Sequence, residues 1–362
     1  LEPDGLGYES LPKGLLKFHA YDEGNRTAFE EHLVEAADYA RDREGVSRLH
    51  LTVSAEHREG FEQLFSEIES RYRGRYECRF EIGFSTQKPS TDTLAVDLDD
   101  RPLRDERSRL RFRPGGHGAL IENLNDLGGD LIFVKNIDNI QPDGRKQEAL
   151  LWKRLLGGYI VRLQQRAFDY LGRLRRADPP RELVDEAMEF ACGSLNVTTD
   201  PIQMPMTFQA ARAFLIDRLN RPLRVCGVVP NTGEPGGGPF WVADDWGPSS
   251  LQIVETAEID PHDARQQQIL GQATHFNPVD LVCAVRDMEG RAFDLPSYVD
   301  PDAVLISRKS DAGHELRALE RPGLSNGAMA RWNTAVVEVP LVTFSPVKSV
   351  LDQLREEHLP GQ

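Results

Sequence analysis

Lysine is scarce in this chain. Of 43 basic residues among 362, only eight are lysine and the rest arginine, against 58 acidic residues and a net charge of −15. So acidic a surface excludes a broad face for a phosphate backbone, and with it nucleic acid as the main partner. A local basic pocket for a single nucleotide needs no such face. The excess of arginine reads as genomic base composition or a salty cytoplasm. Cysteine is also sparse. Cys78, Cys192, Cys226 and Cys283 lie far apart, with no Cys-x-x-Cys pair and no Cys/His cluster at zinc spacing, so they read as buried thiols rather than a metal site or disulfide framework. No run approaches the roughly 20 apolar residues of a membrane span, and the opening LEPDGLGYES lacks the charged-then-apolar form of a leader. The reading is cytoplasmic. With 40% hydrophobic and 28% charged residues, what remains is an ordinary globular chain of one large domain with a lobe, or two domains.

What is present is mixed α/β in period. Residues 11–44 read as a short loop and apolar segment followed by a helix, with Asn25 or Thr27 near the cap and Phe29, Leu33, Ala36 and Ala37 at its apolar positions. SRLHLTVSAEH alternates as a strand, EGFEQLFSEIESRY returns to helical period, and YECRFEIGFS is a further strand. LIFVKNIDNI, β-branched and ending in polar residues, suits a buried strand that delivers side chains at its C-terminal edge, where open α/β sheets bind ligands. Residues 144–191 read as helices divided by Pro179-Pro180. Strands and a further helix follow to the end, and the tail after Glu357 reads as frayed.

Several segments can carry chemistry. The turn Arg113-Pro114-Gly115-Gly116-His117-Gly118 lies between a strand and a helix, where missing side chains let backbone amides approach a base or phosphate. A plain tight turn explains it equally well. Asp138, after the strand LIFVK, can hold a hard cation, or it can simply cap a turn; Asn139 has the same two readings. Lys13 and Lys348 stand beside prolines that stiffen the chain, which suits an ammonium opposite a phosphate, though a solvated surface lysine is the ordinary reading. Lys88 and Lys135 read as surface lysines. The loop from Gly233 to Pro239 is a hairpin connection or a cover for a substrate. Glu255 and His275 either bind hydroxyl groups or satisfy internal hydrogen bonds.

Placed in order, these segments resemble the uridine diphosphate sugar pyrophosphorylases, particularly their N-acetylhexosamine branch. Pro12-Lys13-Gly14 resembles the family's proline-lysine-glycine element, and TVSAEH its strand and loop before the second helix. Phe84-Ser85-Thr86-Gln87 stands where the family has phenylalanine followed by a base-reading glutamine. RPGGHGALIENL resembles the glycine-rich segment leading into a helix, and KNIDNI the valine-aspartate-asparagine strand end. CGVVPNTGEPGGGPFWV with LQIVETAEI, THFNPVDLV and VVEVPLVTFSPVKSV resemble the later strands and the closing phenylalanine-serine-proline-leucine-lysine element. The chain also looks like an uncharacterised bacterial family related to these enzymes.

The resemblance implies a Rossmann-like nucleotidyltransferase fold of mixed sheet, flanking helices and a helical insertion. It divides the chain into a nucleotide-binding half at 1–143, a helical insertion at 144–215 and a sugar-phosphate-binding half at 216–362. It implies that Lys13 and Lys348 meet phosphate, that Asp138 holds Mg²⁺, and that Gln87, Gly115, Gly116 and His117 face the nucleotide. Asn139, Gly227, Glu255, Thr274 and His275 would face the sugar. The reaction implied couples a nucleoside triphosphate, UTP, to a sugar 1-phosphate with release of pyrophosphate. A glycosyltransferase of like architecture and a non-catalytic nucleotide-sugar sensor are the rivals. Two departures stand out. His117 occupies a position where the family has asparagine, and only Gly5-Leu6-Gly7 stands where the family's glycine-rich loop precedes Leu11, so a leading strand and loop are expected upstream.

Overall fold

In the computed structural model, residues 10–198, 207–233, 236–244, 247–311 and 314–359 are described below. Gly5-Leu6-Gly7, and Glu234 and Pro235 of the hairpin connection, lie outside them. The chain forms two compact units: Leu1–Thr86 with Lys135–Leu155 and Val339–Gln362, and Gln87–Val134 with Leu156–Glu338. Each unit is assembled from separated stretches of the sequence.

The first unit contains a short antiparallel pair, β1 (Lys17–His19) and β2 (Arg26–Thr27), then helix α1 (Ala28–Tyr39). Strand β3 (Val46–Thr52), helix α2 (Arg58–Tyr76) and strand β4 (Arg79–Ser85) follow, with β3 and β4 parallel in unbroken register from Val46 opposite Arg79 to Thr52 opposite Ser85. A parallel pair needs a crossover between its strands, and α2 supplies it. The cap of α1 is the predicted one: Thr27 Oγ1 accepts the Glu30 N–H, and the Glu30 carboxylate accepts the Thr27 N–H. Such a capping residue is worth about 1 kcal/mol. Phe29 and Leu33 are fully buried against Phe61, Ile68, Tyr72 and Phe80, each contributing roughly 2–3 kcal/mol by area. The helix is buried on its other sides too, where Glu30, Glu31, His32 and Glu35 lie.

The second unit holds two four-stranded sheets and most of the helices. Chain order brings β5 (Thr93–Val96), β6 (Phe112–Arg113), α3 (Ile121–Asp126), β7 (Leu131–Lys135), α4 (Gln147–Leu174), α5 (Arg181–Ser194) and α6 (Phe208–Leu219). Then come β8 (Leu223–Pro230), β9 (Gly237–Asp244), β10 (Gly247–Glu255), α7 (Ala264–Gly271), β11 (His275–Ala284), β12 (Leu305–Asp311), β13 (His314–Glu320) and β14 (Asn333–Glu338). The principal sheet runs β14-β8-β11-β7, with β14 parallel and β11 antiparallel to β8. The second sheet runs β12-β13-β5-β6, and β9 and β10 form a separate ribbon. The core gathers Cys226, Val228, Leu281, Cys283 and Trp332 around the principal sheet. Arg224, fully buried on β8, braces it by donating to Thr334 Oγ1, the Ser325 carbonyl and Gln252 Oε1 at 2.9, 2.6 and 2.8 Å.

Three expectations are corrected. LIFVK is half-buried at every position and lies at the edge of its sheet, because its far side has no strand among the described residues. The residues around Glu357 form a short 3₁₀ turn in which His358 is buried against His19, their rings stacked. Cys192 is only partly buried, unlike Cys78, Cys226 and Cys283. No described helix is long and apolar enough to cross a membrane.

Candidate functional site

The turn after β7 carries Asp138, and two lysines from the ends of the sequence converge on it. Lys13, in a 3₁₀ turn that follows Pro12, donates to Asp138 Oδ2 at 2.7 Å and to the Val347 carbonyl at 3.0 Å. Lys348 donates to the same Oδ2 at 3.3 Å. The geometry is held by lacing residues 138–141 to 345–348. Val347 N–H donates to the Asp138 carbonyl, Ser345 N–H to Asn139 Oδ1, and the Gln141 amide to Ser345 Oγ. Asp352 accepts from the Lys348 and Ser349 N–H groups and so fixes the turn that presents Lys348. The lysine side chains are 40% and 59% exposed while Asp138 is 8% exposed, so the ammonium groups face solvent above a buried carboxylate. Asp138 Oδ1 has no hydrogen-bond partner among the described residues. A buried oxygen left without a donor is costly unless something meets it in the working state.

That oxygen is the test of a metal. No group of three or more carboxylate, histidine or cysteine side chains that could hold a metal ion occurs among the described residues. Mg²⁺ does not require one, since it is commonly held by one or two carboxylates with the rest of its shell from phosphate and water. The donor set fits a cation brought with phosphates rather than a resident one.

Asn139, the next residue, is buried, with its Oδ1 engaged by Ser345. Lys135, read from sequence as a surface lysine, has a side chain only 8% exposed and pairs at 2.5 Å with the buried Glu35. Its partner lies a hundred residues away on α1. Lys88 does reach solvent, at 37% exposure beside Asp126.

A second polar network in the first unit was not anticipated. Glu31, fully buried on α1, accepts from His19 Nδ1 at 3.0 Å, Tyr21 OH at 2.5 Å, Lys146 Nζ at 2.9 Å and Arg26 at 3.4 Å. Arg26 in turn grips Asp143 with two bonds of 2.8 Å. Burial alone would raise the Glu31 pKa, but the His19 hydrogen bond and the Lys146 charge outweigh it and hold the carboxyl at about 2. Asp143, likewise raised by burial but bonded to Arg26 and facing Lys146, also sits at about 2.

In the second unit the glycine-rich turn packs flush against residues 320–324. The Gly115 carbonyl accepts the Arg321 N–H at 2.8 Å. Gly116 has φ of 78°, a left-handed conformation that favours glycine, and a Cβ on Gly118 would lie 2.1 Å from the Pro322 carbonyl oxygen. Close packing of the chain on itself therefore accounts for glycine at both positions. Between them His117 is half-exposed, its Nδ1 accepting the Leu324 N–H at 3.1 Å and its Nε2 lying 3.2 Å from Glu255 Oε1. Glu255 ends β10, and its N–H donates to Glu258 Oε2 at 2.6 Å. Burial, opposed by that N–H and reinforced by the charges of Glu255 and Asp300, raises Glu258 to about 7.

The family model of a domain of unknown function, DUF4301, matches residues 1–359. The chain belongs to that family. No curated protein matches it by sequence. Among solved structures, this DUF4301 chain is similar to UDP-glucose pyrophosphorylase from Leishmania major, at 17% identity and a TM-score of 0.44, over 94% of this chain and 60% of that one. It is similar to UDP-glucose phosphorylase from Trypanosoma brucei at 15% identity and 0.48, over 95% and 60%. A chain from Entamoeba histolytica assigned as a UDP-N-acetylglucosamine pyrophosphorylase matches at 14% and 0.47, over 94% and 72%. The DUF4301 chain thus spans less than two thirds of the first two.

The other candidate residues of this DUF4301 chain also lie in the second unit. The Gln87 amide lies 3.3 Å from Thr91 Oγ1 and 3.5 Å from Asp92 Oδ1. Gly227 is buried in mid-β8, its carbonyl accepting from Asn277 Nδ2 at 2.8 Å. Thr274 Oγ1 lies 2.8 Å from His275 Nδ1, and His275 Nε2 lies 3.3 Å from Glu338. Neither Glu338 nor Glu258 was singled out from sequence, although both stand inside quoted motifs. Adjacent acidic positions in a very acidic chain offer no contrast by which to find them.

Proposed function

We propose that this chain is a nucleotidyltransferase that couples a nucleoside triphosphate, UTP, to a sugar 1-phosphate. The observation that supports it is the convergence of Lys13 and Lys348 on Asp138 with one carboxylate oxygen left over. The motif order resembling the sugar-nucleotide pyrophosphorylases supplies the substrate classes. A phosphate oxygen of the sugar phosphate attacks the α-phosphorus, a new P–O bond forms, the bond to the β-phosphate breaks, and pyrophosphate leaves with the electron pair. Lys13 and Lys348 neutralise phosphate charge, and the rigid lacing around Asp138 holds them in place. Catalysis of this kind rests on positioning and electrostatics rather than on a covalent intermediate. Mg²⁺, held by Asp138, would supply further charge neutralisation and polarise phosphate oxygens. Gln87 and the Gly115–Gly116 turn face the base, and Asn139, Gly227, Glu255, Thr274 and His275 the sugar.

The test is pyrophosphate release from a panel of nucleoside triphosphates and sugar 1-phosphates with Mg²⁺. Release with one pair supports the reading and names both substrates. Lys348→Ala should lower turnover about a hundredfold or more with the unfolding midpoint unchanged, in keeping with loss of a charge-stabilising donor. Silence of the wild type across the panel, with a nucleotide sugar bound but not turned over, would replace the proposal with a regulatory binding role.

A further inference from the structure

We infer that His117 is a positioning residue for Glu255, acting on the sugar end of the ligand rather than reading the base. The inference rests on the proposed reading in one respect, that Glu255 meets the sugar.

A backbone N–H can only donate, so the 3.1 Å contact from Leu324 makes His117 Nδ1 an acceptor. The proton of the neutral ring then sits on Nε2, which faces Glu255 Oε1 at 3.2 Å and donates to it. The hydrogen bond to Glu255 pushes the imidazole pKa up, but a second proton would have to go on Nδ1 and break the Leu324 bond. The ring is thus a rigid spacer between a main-chain donor and one oxygen of a carboxylate. The Glu255 N–H donates to Glu258 Oε2 and the Glu255 carboxylate accepts the Glu258 N–H in return, a reciprocal cap across the end of β10 that holds the main chain and leaves the His117 contact to fix the outer reach of the carboxylate.

The pair is closely approached on the side of Gly323. A Cβ on Gly323 would lie 2.7 Å from Asn326 Oδ1, 2.8 Å from His117 Cε1 and 3.3 Å from Glu255 Oε1. The imidazole Cε1 lies close to Gly323, and the Glu255 carboxylate is held from two sides, by the His117 ring at Oε1 and by the Glu258 N–H of the cap. Its remaining lone pairs are those open to a ligand hydroxyl. An asparagine at 117 has the reach of Nδ1 but not of Nε2, so it could answer Leu324 and not Glu255. A histidine there therefore ties the two segments together through Glu255 in a way asparagine cannot.

The same stereochemistry gives the experiment. His117→Asn keeps an acceptor near the Nδ1 position and loses the donor; His117→Gln places an amide donor near the Nε2 position. Binding of UDP and of UDP-glucose is measured by calorimetry for the wild type, both variants, Glu255→Gln and the His117→Asn/Glu255→Gln double variant. Loss of one hydrogen bond to a charged group corresponds to about tenfold or more in affinity. The expected result is that loss in UDP-glucose affinity for His117→Asn, with UDP affinity unchanged. His117→Gln should fall within about threefold of wild type, and the double variant should be no worse than Glu255→Gln alone, as coupled residues require. Equal loss of UDP and UDP-glucose would make His117 a base contact and overturn the inference. Recovery in His117→Asn but not His117→Gln would make it a mere anchor for Leu324 and also overturn it. Failure of the wild type to bind either ligand would remove the proposed function itself, an outcome distinct from binding that is indifferent to residue 117.

Discussion

Glu31 and Glu258 are both acids drawn away from water, and their surroundings are opposite. Around Glu31 the first unit gathers His19, Tyr21, Arg26 and Lys146, and the carboxyl is held at about 2. Around Glu258 the second unit supplies burial first and then the charges of Glu255 and Asp300, and the carboxyl rises to about 7. The first arrangement compensates a buried charge with donors. The second tolerates a crowding of acids beside a glycine-rich turn. Glu258 is pushed toward neutrality first by burial and then by like charges. The contrast separates a carboxylate fastened by donors from one that burial and neighbouring acids hold close to neutrality.

The comparison can be broken most directly at Lys146. Lys146→Met leaves Glu31 buried without its ammonium partner, and stability should fall by about 3–5 kcal/mol in urea unfolding. A variant as stable as wild type would show that Lys146 carries none of the compensation. The second test is acid. The folded pKa of Glu31 lies below its ordinary 4.5 and that of Asp143 below its ordinary 3.8, so their contributions are complete above those values and are lost as pH falls toward about 2. Glu31 alone should account for about 2–3 kcal/mol over that window. Glu31→Gln should flatten the acid limb of the stability profile, and an unaltered limb would refute the assignment.

The third test is the mirror image and smaller. Because the folded pKa of Glu258 is raised, its contribution is present below 4.5 and is lost as pH rises through about 7. Glu258→Gln should therefore be about 1 kcal/mol more stable than wild type at pH 8, after allowance for solvent screening, and show no advantage at pH 4. A gain that did not depend on pH would point to packing instead. Smaller still is His32, fully buried and held down at about 4 by burial and by Lys135. Its neutral form stabilises the fold fully above pH 6.5, and that contribution is lost as pH falls through 4. His32→Gln should shallow the profile between those values, measured by thermal unfolding.

These clusters also mark what can be read from sequence. The Thr27 cap, Phe29 and Leu33, and the β3-α2-β4 unit were legible because they follow local period and local hydrogen bonding. Glu30, Glu31, His32 and Glu35 were not, because a period-based reading sends every charged residue outward. Nothing local announces that Lys135 and Lys146, a hundred or more residues away, will meet Glu35 and Glu31 on the buried side of the helix. Lys13, Asp138 and Lys348 were each legible as candidates, yet their convergence on one oxygen appears only when the chain is folded. The turn at Gly115–Gly118 was noticed for its glycines, which the packing against 320–323 explains. Its histidine was noted as facing the nucleotide and as a departure from the family's asparagine, while its contact with Glu255 spans 138 positions of sequence.

Lys13 and Lys348 are already occupied by a common partner. Under the proposed function, a phosphate arriving there would not add to an empty charge; it would exchange with Asp138 for ammonium groups that are satisfied at rest. Its affinity is the difference between two ion pairings, so the binding step can be modest while each contact is strong, and departure of the anion is assisted by the carboxylate waiting to take the lysines back. The site is in this sense a rocker with two seats, and the depth of one seat limits the depth of the other.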